Sequence, residues 1–70
     1  MKSHKSGDLV LMTVNKLSDE NVLGAIKALE ESKTYPYRVL FTNEDEYVYT
    51  EEEIRIMKDN LKRYMKRGRS

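Results

Sequence analysis

Seventy residues with 13 Lys or Arg, 12 Asp or Glu and one His carry a formal net charge of +1. A chain of this length holds one small domain with a thin core, and the lack of cysteine removes disulfides, thiol catalysis and Cys/His zinc sites. No apolar run approaches the roughly 20 residues that span a bilayer, and the N-terminus lacks the apolar core of a signal peptide, so the protein is expected in the cytoplasm with no membrane partner.

Residues 1–7 are polar and basic and are expected to be flexible; His4 is given no metal or catalytic role. Gly7 and Asp8 lead into an apolar strand in which Leu9, Leu11 and Thr13 fall on one side and Val10, Met12 and Val14 on the other. With both sides largely apolar, this strand is expected to be covered on both faces.

Local rules disagree over residues 17–33. As a helix, Ser18 is a good N-cap, Leu17 and Val22 form a hydrophobic staple, and Leu23, Ile26 and Leu29 follow helical spacing. As a strand, Val22, Gly24, Ile26 and Ala28 alternate with Leu23, Ala25, Lys27 and Leu29, and Gly24 marks a bulge or a close backbone approach. Residues 30–33 then form a hairpin turn. Propensity alone favours the helix.

Period-two alternation, β-rich composition and a turn signal coincide at residues 34–50, which predict a β-hairpin. Tyr35, Tyr37, Val39 and Phe41 share one face, Arg38 and Leu40 point the other way, and Asn43, Glu44 and Asp45 break the run before Tyr47, Val48 and Tyr49 resume it. Pro36 cannot donate to a ladder and belongs at a strand start or an edge. An isolated hairpin is marginal in water, so the flanking segments must roof its aromatic side.

The clearest helix covers residues 51–66, about 24 Å at 1.5 Å per residue. Thr50 and Glu53 form a capping box, and Ile54, Met57, Leu61, Tyr64 and Met65 build one apolar stripe. Gly68 is the expected stop, inside a basic tail at residues 67–70. Residues 44–53 hold six acids and no base, whereas residues 62–69 hold Lys62, Arg63, Lys66, Arg67 and Arg69 and no acid. That polarity suits the helix dipole; it also offers a contact for phosphates or an acidic protein surface.

Several of these pieces together resemble the small SH3-like barrels of the Tudor and KOW-like kind that bacteria and their phages encode. The likeness runs through Gly7-Asp8-Leu9-Val10-Leu11, Gly24-Ala25-Ile26, Pro36-Tyr37-Arg38-Val39-Leu40-Phe41, the acidic turn, Tyr47-Val48-Tyr49 and the capped acidic turn from Thr50. It implies a mainly β fold, a small SH3-like barrel over residues 8–50 with a C-terminal amphipathic α-helix covering one opening, all within a single domain spanning residues 8–66. The alternative is α+β, a β-α-β-β-α chain with two helices on a three-stranded antiparallel sheet. The barrel is preferred because one ordering accounts for Gly7-Asp8, Gly24, Pro36 and the acidic turn together.

The residues offer little for catalysis. Glu51, Glu52 and Glu53 diverge from a helix and make no convergent pair, residues 43–46 lack calcium-loop spacing, and no phosphate-binding glycine loop is present. No enzyme activity, cofactor or metal is expected, which leaves a small interaction module. The first partner class is a protein, either another chain or a second copy in a homodimer, held by the barrel tyrosines or the stripe of Met57, Leu61, Tyr64 and Met65. The alternative is direct nucleic-acid binding, with Lys62, Arg63, Lys66, Arg67 and Arg69 on phosphates and Tyr35, Tyr37, Tyr47 or Tyr49 stacking on bases. By resemblance, the chain is expected to be a bacterial or phage accessory protein that modulates a nucleic-acid or defence-related complex.

Overall fold

A computed structural model describes residues 3–15, 17, 18 and 20–67, with the side chain of Arg67 excluded. Four strands and one helix follow in order: β1 (Leu9–Asn15), β2 (Glu20–Leu29), β3 (Tyr37–Phe41), β4 (Glu46–Tyr49) and α1 (Glu51–Arg67). The strands pair antiparallel in sequence order as one curled sheet, a half-barrel, with α1 against β1. The mainly β expectation therefore holds.

The second segment is strand, and the helix that propensity favours over residues 17–33 does not form; the β-α-β-β-α alternative falls with it. Its place in the sheet explains why. β2 pairs with β1 on one side, Val10 opposite Gly24 and Met12 opposite Val22, and with β3 on the other, Gly24 opposite Phe41 and Ile26 opposite Val39. Two ladders and a shared core outweigh a few tenths of a kcal/mol per residue of helix preference. Ser18 and Leu17 lie in the β1–β2 turn instead, where the Leu17 amide donates to Asn15 Oδ1 at 3.0 Å and the Leu17 side chain is almost wholly exposed.

Gly24 is a site of close approach. A Cβ there would lie 2.6 Å from Phe41 Cδ1 and 2.9 Å from Val39 Cγ1, so the absence of a side chain lets the Phe41 ring pack directly against the β2 backbone. The bulge falls three residues later, where the β2–β3 register shifts between Ile26 and Ala28. An extra residue on one strand adds local twist and bend, and here it helps curl the sheet.

The curled side encloses Val10, Ile26, Tyr37, Val39, Phe41, Ile54 and Met57 as one buried cluster, with Met12, Val22 and Tyr49 packed on it. Every strand except β4 supplies a fully buried member, and α1 contributes the first two positions of its apolar stripe. The capping box sets the start of the helix: the Thr50 amide donates to Glu53 Oε1 at 2.8 Å, and the Glu53 amide donates to Thr50 Oγ1 at 3.1 Å. Four otherwise orphaned amides begin a helix, and this pair of bonds satisfies one while fixing the chain entering it.

Residues 3–7, expected to be flexible, contact the end of the sheet and the start of α1; Met1 and Lys2 lie outside the described residues. His4 Nε2 lies 2.9 Å from Glu51 Oε2, the His4 amide donates to the Tyr37 hydroxyl at 3.2 Å, and the imidazole meets the Tyr37 ring edge-on at 5.2 Å. The Gly7 amide donates to the Ile26 carbonyl at 2.7 Å. Gly7 has a φ of 94°, a conformation that glycine adopts without a Cβ penalty. Gly68 lies outside the described residues.

Candidate interaction surface

The antiparallel register sorts the outer side of the sheet into two halves. One row crosses all four strands as Leu9, Ala25, Leu40 and Glu46, and the next carries Leu11 opposite Leu23. Leu9, Leu23 and Leu40 remain 51%, 38% and 41% exposed while Leu11 is buried, so the outer face of the first strand, expected to be covered, is covered at Leu11 and open at Leu9. The other half is charged. Lys27 Nζ lies 2.7 Å from Glu46 Oε1, Arg38 Nη1 lies 3.3 Å from Glu46 Oε2, and Arg38 Nη2 lies 2.8 Å from Glu30 Oε1. Lys27 holds the Glu46 carboxyl below its ordinary range, and Glu30 raises the Arg38 guanidinium.

Helix α1 extends the apolar half. Its stripe divides along its length: Ile54 and Met57 are buried in the core, whereas Leu61 is half-buried and Tyr64 and Met65 are exposed. Leu61, Tyr64 and Met65 join Leu9, Leu11, Asn21 and Leu23 around a groove of about 420 Å³. A second depression shares Leu9 and Leu23 with that groove and continues over Ala25 to Leu40. Single exposed apolar residues are ordinary on a protein surface; a contiguous patch marks a contact.

Bases flank this patch. Lys62, Arg63 and Lys66 border Met65, and Arg63 Nη2 donates to Asn60 Oδ1 at 2.7 Å. Among the described residues none of these three makes an ion pair, while Lys58 is held by Asp8 at 2.7 Å and Arg55 is held by Glu52. The Arg67 side chain and the whole of Arg69, both predicted to contact a partner, lie outside the described residues.

None of the tyrosines predicted to act with these bases lines the depression that Lys62, Arg63 and Lys66 share. Tyr37 is fully buried, and its hydroxyl donates to Glu51 Oε1 at 2.7 Å; no face is left for a base to stack on, which corrects its assignment as a contact. Burial, then the Glu51 carboxylate, pushes the Tyr37 hydroxyl up. Tyr49 is half-buried, its hydroxyl 3.7 Å from Met12 Sδ. Tyr35 and Tyr47 are about half exposed, but Tyr47 follows the acidic run at Glu44, Asp45 and Glu46. Glu51 touches Tyr37 at the start of α1, and Lys66 follows fifteen residues later, about 22 Å along the axis. The aromatic end is acidic, and the basic end is apolar.

Leu9, Leu23 and Leu40 are the surface residues that sequence reasoning missed. Each stands in a strand on the face opposite the core set, a signal visible only once the pairing of β1, β2 and β3 is known. Among the described residues no cluster of three or more His, Cys, Asp or Glu is placed to hold a metal ion. Comparison with protein-family models, curated proteins and solved structures finds no match. The half-barrel therefore stands on strand order and register alone.

Proposed function

We propose that this chain is a non-enzymatic interaction module, an SH3-like barrel of the bacterial and phage kind, that binds a protein partner through the outer surface formed by Leu9, Leu23, Leu40, Tyr64 and Met65. The observation that carries the reading is the continuity of that apolar patch across three strands and the end of α1, beside Lys62, Arg63 and Lys66, which make no ion pair among the described residues. An apolar centre with a charged rim is the ordinary anatomy of a protein interface. The rim charge selects a partner whose apolar side chains are bordered by acids.

Direct nucleic-acid binding is the second reading, favoured by those same bases at an exposed helix end. Met65→Lys separates the two. Added positive charge strengthens phosphate binding and steepens its salt dependence, whereas a charge in the apolar centre weakens protein docking by about tenfold or more. The test captures binding proteins from a host extract with the parent and Met65→Lys chains and reconstitutes the best of them. Short single- and double-stranded DNA and RNA are titrated in parallel at low salt. Loss of the reconstituted complex in Met65→Lys supports protein docking; tighter nucleic-acid binding by Met65→Lys replaces it with the second reading. Light scattering on the free chain reads the homodimer, whose loss in Met65→Lys would make the partner a second copy.

A further inference from the structure

The two edges of the sheet are treated differently. β1 is flanked by α1, whereas among the described residues no strand pairs with the outer edge of β4. The hairpin fixes which backbone groups that edge presents. The Phe41 amide donates to the Asp45 carbonyl at 2.9 Å, and the register then places Val39 opposite Tyr47 and Tyr37 opposite Tyr49. Hydrogen-bonded pairs recur at every second residue of an antiparallel ladder. Tyr47 and Tyr49 therefore bond to β3, and the N–H and C=O groups of Glu46 and Val48 point away from the sheet.

Protein edges are usually guarded by proline, lysine, a bulge or a covering element. Among the described residues β4 has no proline, lysine, bulge or covering element: its register with β3 is unbroken, Glu46, Tyr47 and Val48 are exposed, and its guards are its length of four residues and the Glu46 carboxylate, which is drawn aside onto Lys27 and Arg38. We propose that the bare β4 edge accepts an extended segment of a partner as a fifth strand, and that this segment alternates basic with apolar residues. The apolar residues would lie over the exposed ring of Tyr47 on the core side, and the basic ones would stand on the outer side, toward the acids that bracket β4.

Charge chooses this occupant over a second copy. β4 is bracketed by Glu44, Asp45 and Glu46 before it and by Glu51, Glu52 and Glu53 after it. Antiparallel pairing of β4 with its own copy would lay the leading acids of one chain near the acids that open α1 in the other, and like charges brought together repel. A basic strand meets acids at both ends. This edge is separate from the patch centred on Leu9 and Leu23, and the inference does not rest on that patch being used.

The register gives a sharp test. The added strand runs antiparallel to β4; its residues that lie opposite Glu46 and Val48 share their outer side and direct their N–H groups at β4, so the basic residues of the segment make the backbone bonds. The probe is a capped peptide of alternating lysine and valine, about seven residues long, titrated into the full chain by fluorescence anisotropy with amide hydrogen exchange read in parallel. N-methylation of the lysines is expected to weaken binding at least about tenfold, and N-methylation of the valines to leave it within about twofold, at identical charge. Binding should protect the Glu46 and Val48 amides and persist in Met65→Lys. Val48→Pro, which removes an outward N–H that β3 does not use, should weaken binding to the same degree as lysine methylation. No binding at about 1 mM, equal binding of the two methylated peptides, or protection of β4 that rises with chain concentration alone would each overturn the proposal.

Discussion

Gly24→Ala tests the close approach of β2 to Phe41 and Val39. The added methyl would stand 2.6 Å and 2.9 Å from two ring carbons of Phe41 and 2.9 Å from Val39 Cγ1, and both neighbours are buried at 2% exposure or less. Neither can swing into solvent, so relief must come from displacing β3 or forcing a rotamer, an overpacking cost of about 1–3 kcal/mol. Restricting the unfolded chain returns about 0.4–1 kcal/mol. The net loss is about 1–2 kcal/mol, which in a domain of this size lowers Tm by roughly 5–15 °C. Thermal and urea unfolding followed by circular dichroism measure it, and Phe41→Leu supplies the second arm of a double-mutant cycle. Removing the ring should cut the cost of Gly24→Ala by more than about 0.5 kcal/mol. A Gly24→Ala chain that melts at or above the parent, or a cost unchanged in the Phe41→Leu background, refutes the close approach as the reason for glycine.

Glu44 holds a φ of 73° in the β3–β4 turn, where a residue with a Cβ is strained by about 1–2 kcal/mol; after the entropy returned to the unfolded chain, Glu44→Gly should stabilise by about 0.5–1 kcal/mol, read as a higher urea midpoint. Thr50→Ala removes the hydroxyl that accepts the Glu53 amide and should cost about 1 kcal/mol, with loss of helical signal on heating preceding loss of strand signal. Acid should destabilise the fold through four carboxylates held below their ordinary range: Asp8 by Lys58, Glu46 by Lys27, Glu51 by the Tyr37 hydroxyl and Glu52 by Arg55. Because their folded values are depressed, the unfolded chain takes up protons first. Their contribution is complete above about pH 4–4.5 and is lost as pH falls through the lowered folded values. Urea midpoints from pH 7 downward check this, and Lys58→Met should flatten the acid limb by removing the Asp8 share.

Much of this architecture is legible in residue order, and the parts that are not share a physical reason. The β3–β4 hairpin, the capping box and the helical stripe are local patterns, set by residues within a few positions of one another. The state of residues 20–29 is not local: Leu23, Ile26 and Leu29 follow a helical spacing while Val22, Gly24, Ile26 and Ala28 alternate with their neighbours as a strand does, and the decision is made by Phe41 and Val10, which are distant in sequence. Gly24 is the one residue in that segment whose reason is visible early, since glycine disfavours a helix interior and suits a close approach. The site divides the same way. The exposure of Tyr64 and Met65 follows from a stripe longer than the barrel it covers, but Leu9, Leu23 and Leu40 become a single surface only through the register of three strands. Tyr37 was misassigned because alternation places it beside Tyr35 on one face without telling which of the two the N-terminal segment and Glu51 enclose.

The polarity of α1 has a sufficient cause in the helix itself, since acids in the first turn and bases in the last both oppose the dipole. Basic charge at residues 62–66 is thus expected of this helix whatever it binds, and by itself does not tell a phosphate from an acidic protein border. The dipole gives no reason for Tyr64 and Met65 to stand exposed among those bases, or for Leu9 and Leu23 to continue their surface across the sheet, because such exposure forgoes burial that a small core can ill spare. Phosphate binding would need the bases but not the leucines on the sheet. An apolar protein contact with an acidic border uses both, and so accounts for more of the surface with a single partner.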